Sequence, residues 1–494
     1  MKRILVTALL LASFFTYAQQ KNTLLDGKYW KEKPTVEVVK AEIAKGNSPA
    51  AANGGNHDVV SMAINNDAPL DVITYLIDQP GNSVDKTTHD GRLYIHWAAS
   101  RGNVALVKYL IEKGSSVNRT DDKGATPLAF AAGNGQSNTE IFELFFKAGI
   151  DPKAKYREGA NLMLLAIATD TDLKVADYLA TKGLSLKDTD DLGRTTFDYA
   201  ARTGNIDLLN ILLSKGVKAT GNALIIASQG GRSTSNTLET YKFLIDNVKL
   251  DPNSKGESGE NVLHNLVRKQ NQEEIINYFL SKKVDINAMD TKGTSAFMVA
   301  TGTKNIALVE SLISKVKDIN SVNSKGESAL FAATQTGSSE MVSYLISKGA
   351  KTNLVSKEGN LAHALIASYK KPRPNENADD FIKKIEVLKS NGVDFVKSQQ
   401  NGSTLYHTAI TKNDLQLLKL LDGLNIDVNA QDNDGMTALH KAAMMCKDEV
   451  LLKYLVALGA KKDIKTEFDE TAYDLALDNE SLKEENINVD FLKS

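Results

Sequence analysis

One phrase, close to DxxGxTPLHxAAxxG followed by an apolar helix and KGAxxN, recurs about every thirty-three residues through nearly the whole chain. A unit of that length cannot bury its own apolar face, so the fold must be a stack of copies, each packed on its neighbours. The best-formed copies are DDKGATPLAFAAGNG (121–135), DDLGRTTFDYAARTG (190–204), SKGESALFAATQTG (324–337) and DNDGMTALHKAAMMC (432–446). The turn glycines Gly91, Gly124, Gly159, Gly193, Gly259, Gly293, Gly326, Gly359, Gly402 and Gly435 are spaced by 33, 35, 34, 66, 34, 33, 33, 43 and 33. The gap of 66 holds two copies, with Thr220 standing in for the missing glycine. Asn56 and Asp469 take the turn in the outer copies, which brings the count to twelve full or degenerate repeats. A half-repeat from Pro34 precedes them and a closing unit follows.

Each slot has a physical reason. Glycine serves a tight turn with positive φ, and that turn is the whole of its expected cost on replacement. Thr126 can cap a helix whose first position is Pro127. Leu128, Leu263, Leu330 and Leu439 fall on a buried face, and the pairs Ala98-Ala99, Ala131-Ala132, Ala200-Ala201 and Ala442-Ala443 let helices approach closely. Second helices such as NVALVKYLIEKG and NIDLLNILLSKG carry apolar residues at helical spacing. The reading is all-α, and twelve such pairs would extend on the order of 100 Å along the stack.

These motifs resemble the ankyrin repeat family, over about residues 34 to 480. The resemblance implies a solenoid of helix-turn-helix units with β-hairpin-like loops, and a protein partner held on the concave side by hairpin tips and first-helix ends. The tip slots map onto His89, Asp90, Arg92, Lys123, Arg194, Lys292 and Lys325, with Leu192 and Glu327 beside them. The helix-end slots include Arg101, Arg202, Arg268, Lys269 and Lys412, a basic row, together with Gln335-Thr336 and Met444-Met445. Some bacterial members are linked with catalase and other oxidative-stress enzymes, which is one partner class the resemblance implies. A secreted effector binding a host protein is a second reading. A haem or small-molecule carrier using His57, His89 or Met444-Met445 is a rival of a different class.

The N-terminus reads MKRILVTALLLASFFTYAQQ: two cations, an apolar run from Ile4 to Phe15, and small residues up to Ala18. That is the pattern of a secretory signal peptide cleaved after residue 18, too short to span a bilayer. Residues 19–33 then read as a linker, 34–480 as the solenoid and 481–494 as a capping tail. A periplasmic monomer is expected, with secretion as the alternative address. The formal charge is −2, or −4 once Lys2 and Arg3 are removed, which argues against a nucleic-acid partner.

Nucleophile-elbow, dinucleotide-loop, Walker, HExxH and calcium-loop patterns are absent, so neither enzyme chemistry, nor a metal, nor a cofactor is expected. The single cysteine, Cys446, reads as a structural thiol. His96, His264, His407 and His440 share one slot and resemble structural hydrogen-bonding groups, whereas His363 falls at the leucine slot. His57 and His89 lie off the core and too far apart in register to suggest a site. Tyr109, Tyr178, Tyr278, Tyr344 and Tyr454 sit at core spacings. Two insertions, 230–240 and 368–380, separate first from second helices and read as solvated loops or as a second contact edge.

Overall fold

The computed structural model describes residues 22–230, 236–372 and 378–493. The signal-peptide pattern and the middles of both insertions lie outside them. The chain forms two compact units, residues 1–220 and 221–494. Among the described residues twenty-eight α-helices fall into fourteen pairs, six in the first unit and eight in the second. Among the described residues there is no strand, only isolated bridges such as Thr189 to Thr195 and Met289 to Ser295 inside the loops.

First helices start where the sequence places their caps. The Thr126 side chain accepts from Ala129 N with Pro127 opening the helix, and Ser295 and Thr437 cap in the same way. The paired alanines Ala98, Ala99, Ala131, Ala132, Ala442 and Ala443 are fully buried, as close helix packing requires. Second helices begin at Asn103, Asn138, Asn205 and Asn305, whose side-chain oxygens accept from the first turn. Their tyrosines are not core residues. Tyr109, Tyr178, Tyr278, Tyr344 and Tyr454 are half-buried, and Tyr178 donates to Glu143 at 2.6 Å and Tyr278 to Asp246 at 3.0 Å, each one repeat earlier.

The loop opens with an acid or amide that holds its own turn together. Asp290 Oδ1 accepts from Lys292 N at 2.9 Å and Thr294 N at 2.8 Å, and Asn323 Oδ1 does the same for Lys325 N and Glu327 N. Successive tips are then laced through the backbone. In the first unit Asp122 N donates to Asp90 O and Asp191 N to Glu158 O, both at 2.9 Å. In the second, Thr291 N donates to Ser258 O, Ser324 N to Lys292 O, Lys357 N to Lys325 O and Asn433 N to Asn401 O, at 2.7 to 2.9 Å. This lacing gives glycine a second reason to be there. A Cβ on Gly326 would lie 3.2 Å from Ser356 Cα, and one on Gly435 2.9 Å from Glu467 N, so the expectation that only positive φ matters is too small.

The shared histidine slot is a bridge between repeats. His440 Nδ1 accepts from Thr437 N at 3.0 Å, and Nε2 lies 3.0 Å from Ile464 O in the next unit. His96, His264 and His407 repeat the geometry. His363 belongs to the same set, three residues after its cap Asn360 and 3.3 Å from Ser403 O. Its apparent leucine slot arises because this copy lacks one residue between Gly359 and the cap; the turn closes from Ser356 N to Gly359 O at 2.8 Å.

Two further readings change. Thr220 is not among the positive-φ residues, although Asn56 and Asp469 are. Its N and Oγ1 instead donate to the buried Asp198, at 2.9 and 2.7 Å. The half-repeat is a whole pair, because Gly27–Lys31 precedes Val36–Ala44. Residues 22–33, read as a linker, carry the fully buried Leu24 and Trp30, joined by an indole hydrogen bond to Leu24 O at 2.8 Å. At the other end Glu480–Glu484 forms a last short helix, and Leu482 and Leu492 are buried.

Candidate functional site

In the first unit the tip residues are engaged with one another. Asp90 lies 2.5 Å from Lys123 Nζ and 3.1 Å from Arg92 Nη1. Arg92 is buried, donates to Asp121 at 2.9 Å and covers the rings of Trp97 and Phe130, with its guanidinium 4.3 Å from the Phe130 centroid. Lys123 accordingly pulls the Asp90 carboxyl below its ordinary range. Arg194 spans Asp190 and Glu158, both at 2.5 Å. His57 and His89 are brought together despite their separation in sequence: the rings stack at 4.4 Å, and His57 is 5.4 Å from Trp97. His89 Nδ1 meets Gly55 O at 2.7 Å, while burial and then the neighbouring His89 and Arg92 hold His57 below its usual value.

The basic helix-end row is tied backwards to the preceding repeat. Arg101 grips Asp67, Lys269 Nζ donates to Gln229 O, and Lys412 Nζ to Ala367 O. Arg202 and Arg268 are exposed, as is Lys292. Lys325 pairs with Glu358 at 3.1 Å.

The second unit offers a concavity. Three hollows of about 530, 330 and 780 Å³ share Gln335 as a lining residue. They form a groove from Arg268 to Lys441 between the tips on one side and the first-helix ends on the other. Consecutive first helices and their ends reach it through Val299, Gly302 and Thr303, then Ala332 and Thr336, then Ala364 and Ala367, then His407 and Thr408, and last Lys441. Ser356, Lys357 and Glu358 of the shortened turn before Gly359 line the groove. Of the sequence-derived slots, the structure brings Arg268, Gln335, Thr336, Lys412 and Glu327 to this one groove, with Thr411 beside Lys412. Seven cations line it against three carboxylates.

The polar lining is preorganised. Glu327 accepts from Gln335 and Asn323, both at 3.0 Å, Gln399 donates to Glu358 O at 2.6 Å, and Lys441 meets Asp432 at 2.7 Å. Lys357, Lys384 and Lys441 were not legible as groove residues: Lys384 and Lys441 lie inside helices and Lys357 precedes the tip slot, outside the tip and helix-end positions. Cys446 is buried, and burial pushes its thiol up to about 12, away from thiolate chemistry. Met444 and Met445 are half exposed. Among the described residues no group of three or more His, Cys, Asp or Glu side chains is arranged to hold a metal ion, and no helix is long and apolar enough to cross a membrane.

Comparison with known proteins gives one family. Profiles for ankyrin repeats match residues 50–156 and 263–356 (ankyrin repeats, 3 copies) and 406–473 (ankyrin repeats, many copies), together more than half of the chain. The unmatched intervals contain both insertions, the turn at Thr220 and the shortened turn at Gly359. Among curated proteins, alpha-latrotoxin-Lg1a of Latrodectus geometricus is 34% identical over 98 residues, 19% of this chain and 7% of the toxin. Neurogenic locus notch homolog protein 1 of Homo sapiens is 26% identical over 168 residues, 34% of this chain and 6% of that protein. Notch homolog protein 2 of Homo sapiens is 25% identical over 170 residues, 34% and 7%. The similarity thus spans a small fraction of these relatives.

Proposed function

Because the chain belongs to the ankyrin repeat family, we propose that it is a protein-binding scaffold without chemistry of its own, and that the groove of the second unit holds an extended segment of the partner. The observation that carries this reading is the continuity of the three hollows through Gln335, floored by small residues and rimmed by anchored polar groups. The tips and cationic slots of the first unit are largely consumed by bonds between repeats, which leaves the groove as the better place for a partner.

The export signal in residues 1–18 supports a periplasmic address, and a catalase-type enzyme of that compartment is the partner class the family resemblance favours. The test is capture from the native envelope fraction by the full mature chain, followed by comparison with Thr336→Trp and Thr411→Trp. Thr336 and Thr411 are exposed and line different hollows. Loss of the captured partner with unchanged unfolding supports the groove. Undiminished capture by both variants removes it.

A further inference from the structure

The largest hollow differs from the rest of the groove because a longer helix closes it. The second helix of the preceding repeat, Ser339–Ser347, has 9 residues, whereas Asp379–Ser390 has 12. The extra turn sets Phe381 edge-on against Tyr369, ring centroids 5.0 Å apart, which makes an apolar wall. Further along the same helix Lys384 takes the slot that the buried Met341 holds in the preceding repeat, and its side chain is 7% exposed. Its Nζ donates to Thr334 O at 3.2 Å and lies 3.7 Å from Asp380, its only bonded and ion-paired neighbours among the described residues.

An ammonium has three donors, and here one hydrogen bond and one distant carboxylate serve them. Asp380 also accepts from Ser339 N at 2.8 Å through Oδ1, while its Oδ2 faces Lys384. The other acid of the hollow, Glu358, pairs with Lys325. Thr334, whose carbonyl meets Lys384, has a buried Oγ1 with no hydrogen-bond partner. Lys304, Lys370 and Lys412 add positive charge at the rim. Burial lowers the Lys384 pKa, and the Asp380 carboxylate at 3.7 Å raises it.

We propose that this hollow is a carboxylate subsite that receives an Asp or Glu side chain of the partner segment, its carboxylate facing Lys384 with Lys304 and Lys412 at the rim and its methylenes against Tyr369 and Phe381. Charge complementarity selects this occupant: a buried, under-paired cation gains most from an anion that reaches it desolvated, and a neutral amide of the same shape does not supply it. This subsite rests on the groove reading and adds a chemical preference to it.

The test is selection of binders from a random twelve-residue peptide display library on the full mature chain. Enriched peptides should carry an acidic residue at a fixed position, and replacing it with its amide should weaken binding at least tenfold. That loss should shrink to below threefold in Lys384→Met, and be reduced in Lys304→Gln, an exposed position that leaves the fold alone should the buried substitution disturb it. Peptides displaced by Thr411→Trp but showing no acidic preference, or the same amide penalty in both lysine variants, would overturn the subsite while leaving the groove reading intact. If no peptide is enriched, or none is sensitive to Thr411→Trp, both readings fall.

Discussion

Arg101 grips the carboxylate of Asp67, one repeat earlier, through both Nε, at 3.2 Å, and Nη2. The arginine that the sequence offers as a partner contact is therefore first a tie between repeats. Both side chains are well exposed, 43% and 59%, so the pair sets local geometry more than it stabilises. Arg101→Ala should lower the unfolding free energy by less than about 1 kcal/mol. A larger loss in equilibrium unfolding would mean that the helix-end ties hold the stack together.

The turn glycines should separate into two classes. Gly124 and Gly435 have φ of 79° and 70°, but a Cβ on Gly124 meets nothing within 4 Å, whereas on Gly435 it meets the backbone of Thr466 and Glu467. Gly124→Ala should cost roughly 1 kcal/mol, and Gly435→Ala a further 1–3 kcal/mol from overpacking. Equal losses in urea titrations would show that the lacing of tips contributes little.

Acid should loosen the stack through its bridging histidines. Burial lowers the pKa of His96 to about 4 and also lowers those of His264, His363, His407 and His440. An unfolded histidine takes up its proton near pH 6.5. The native chain at His96, His264, His407 and His440 resists, because the neutral ring must accept at Nδ1 while donating at Nε2. Stability contributed at neutral pH is thus lost as pH falls from about 6.5 toward the native values, on the order of 3 kcal/mol for His96 alone. His96→Gln should flatten the dependence of unfolding free energy on pH between 6.5 and 4.5; an unchanged slope would contradict the assignment.

The C-terminal closure should hinge on Asn479, whose side chain donates to both Ala443 O and Cys446 O at 2.9 Å. Asn479→Ala leaves two buried carbonyls short of a donor and should cost about 1–3 kcal/mol. Hydrogen exchange should show the loss concentrated in residues 472–493. Uniform acceleration along the second unit would point to a different capping contact.

Much of this architecture was legible because the repeat period encodes it: the caps at Thr126 and Thr437, the buried alanine pairs and the turn glycines all fall where the phrase places them. What escaped depends on side chains one repeat apart meeting in space. His57 stacks on His89 because neighbouring tips align, though 32 positions separate them. A single missing residue beside Gly359 hid the true slot of His363. Leu24 and Trp30 escaped because a capping pair need not carry the repeat phrase, and Thr220 because a buried carboxylate, Asp198, does the work of a turn.

The most direct measurement places a photo-crosslinking amino acid at Gln335, which lines all three hollows, and in a second protein at Lys348, exposed at the end of a second helix. Irradiation of each mature protein in its native fraction should give one discrete partner adduct from position 335 and none from position 348. An adduct from 348 alone, or equal yields from both, would contradict a partner held in the groove.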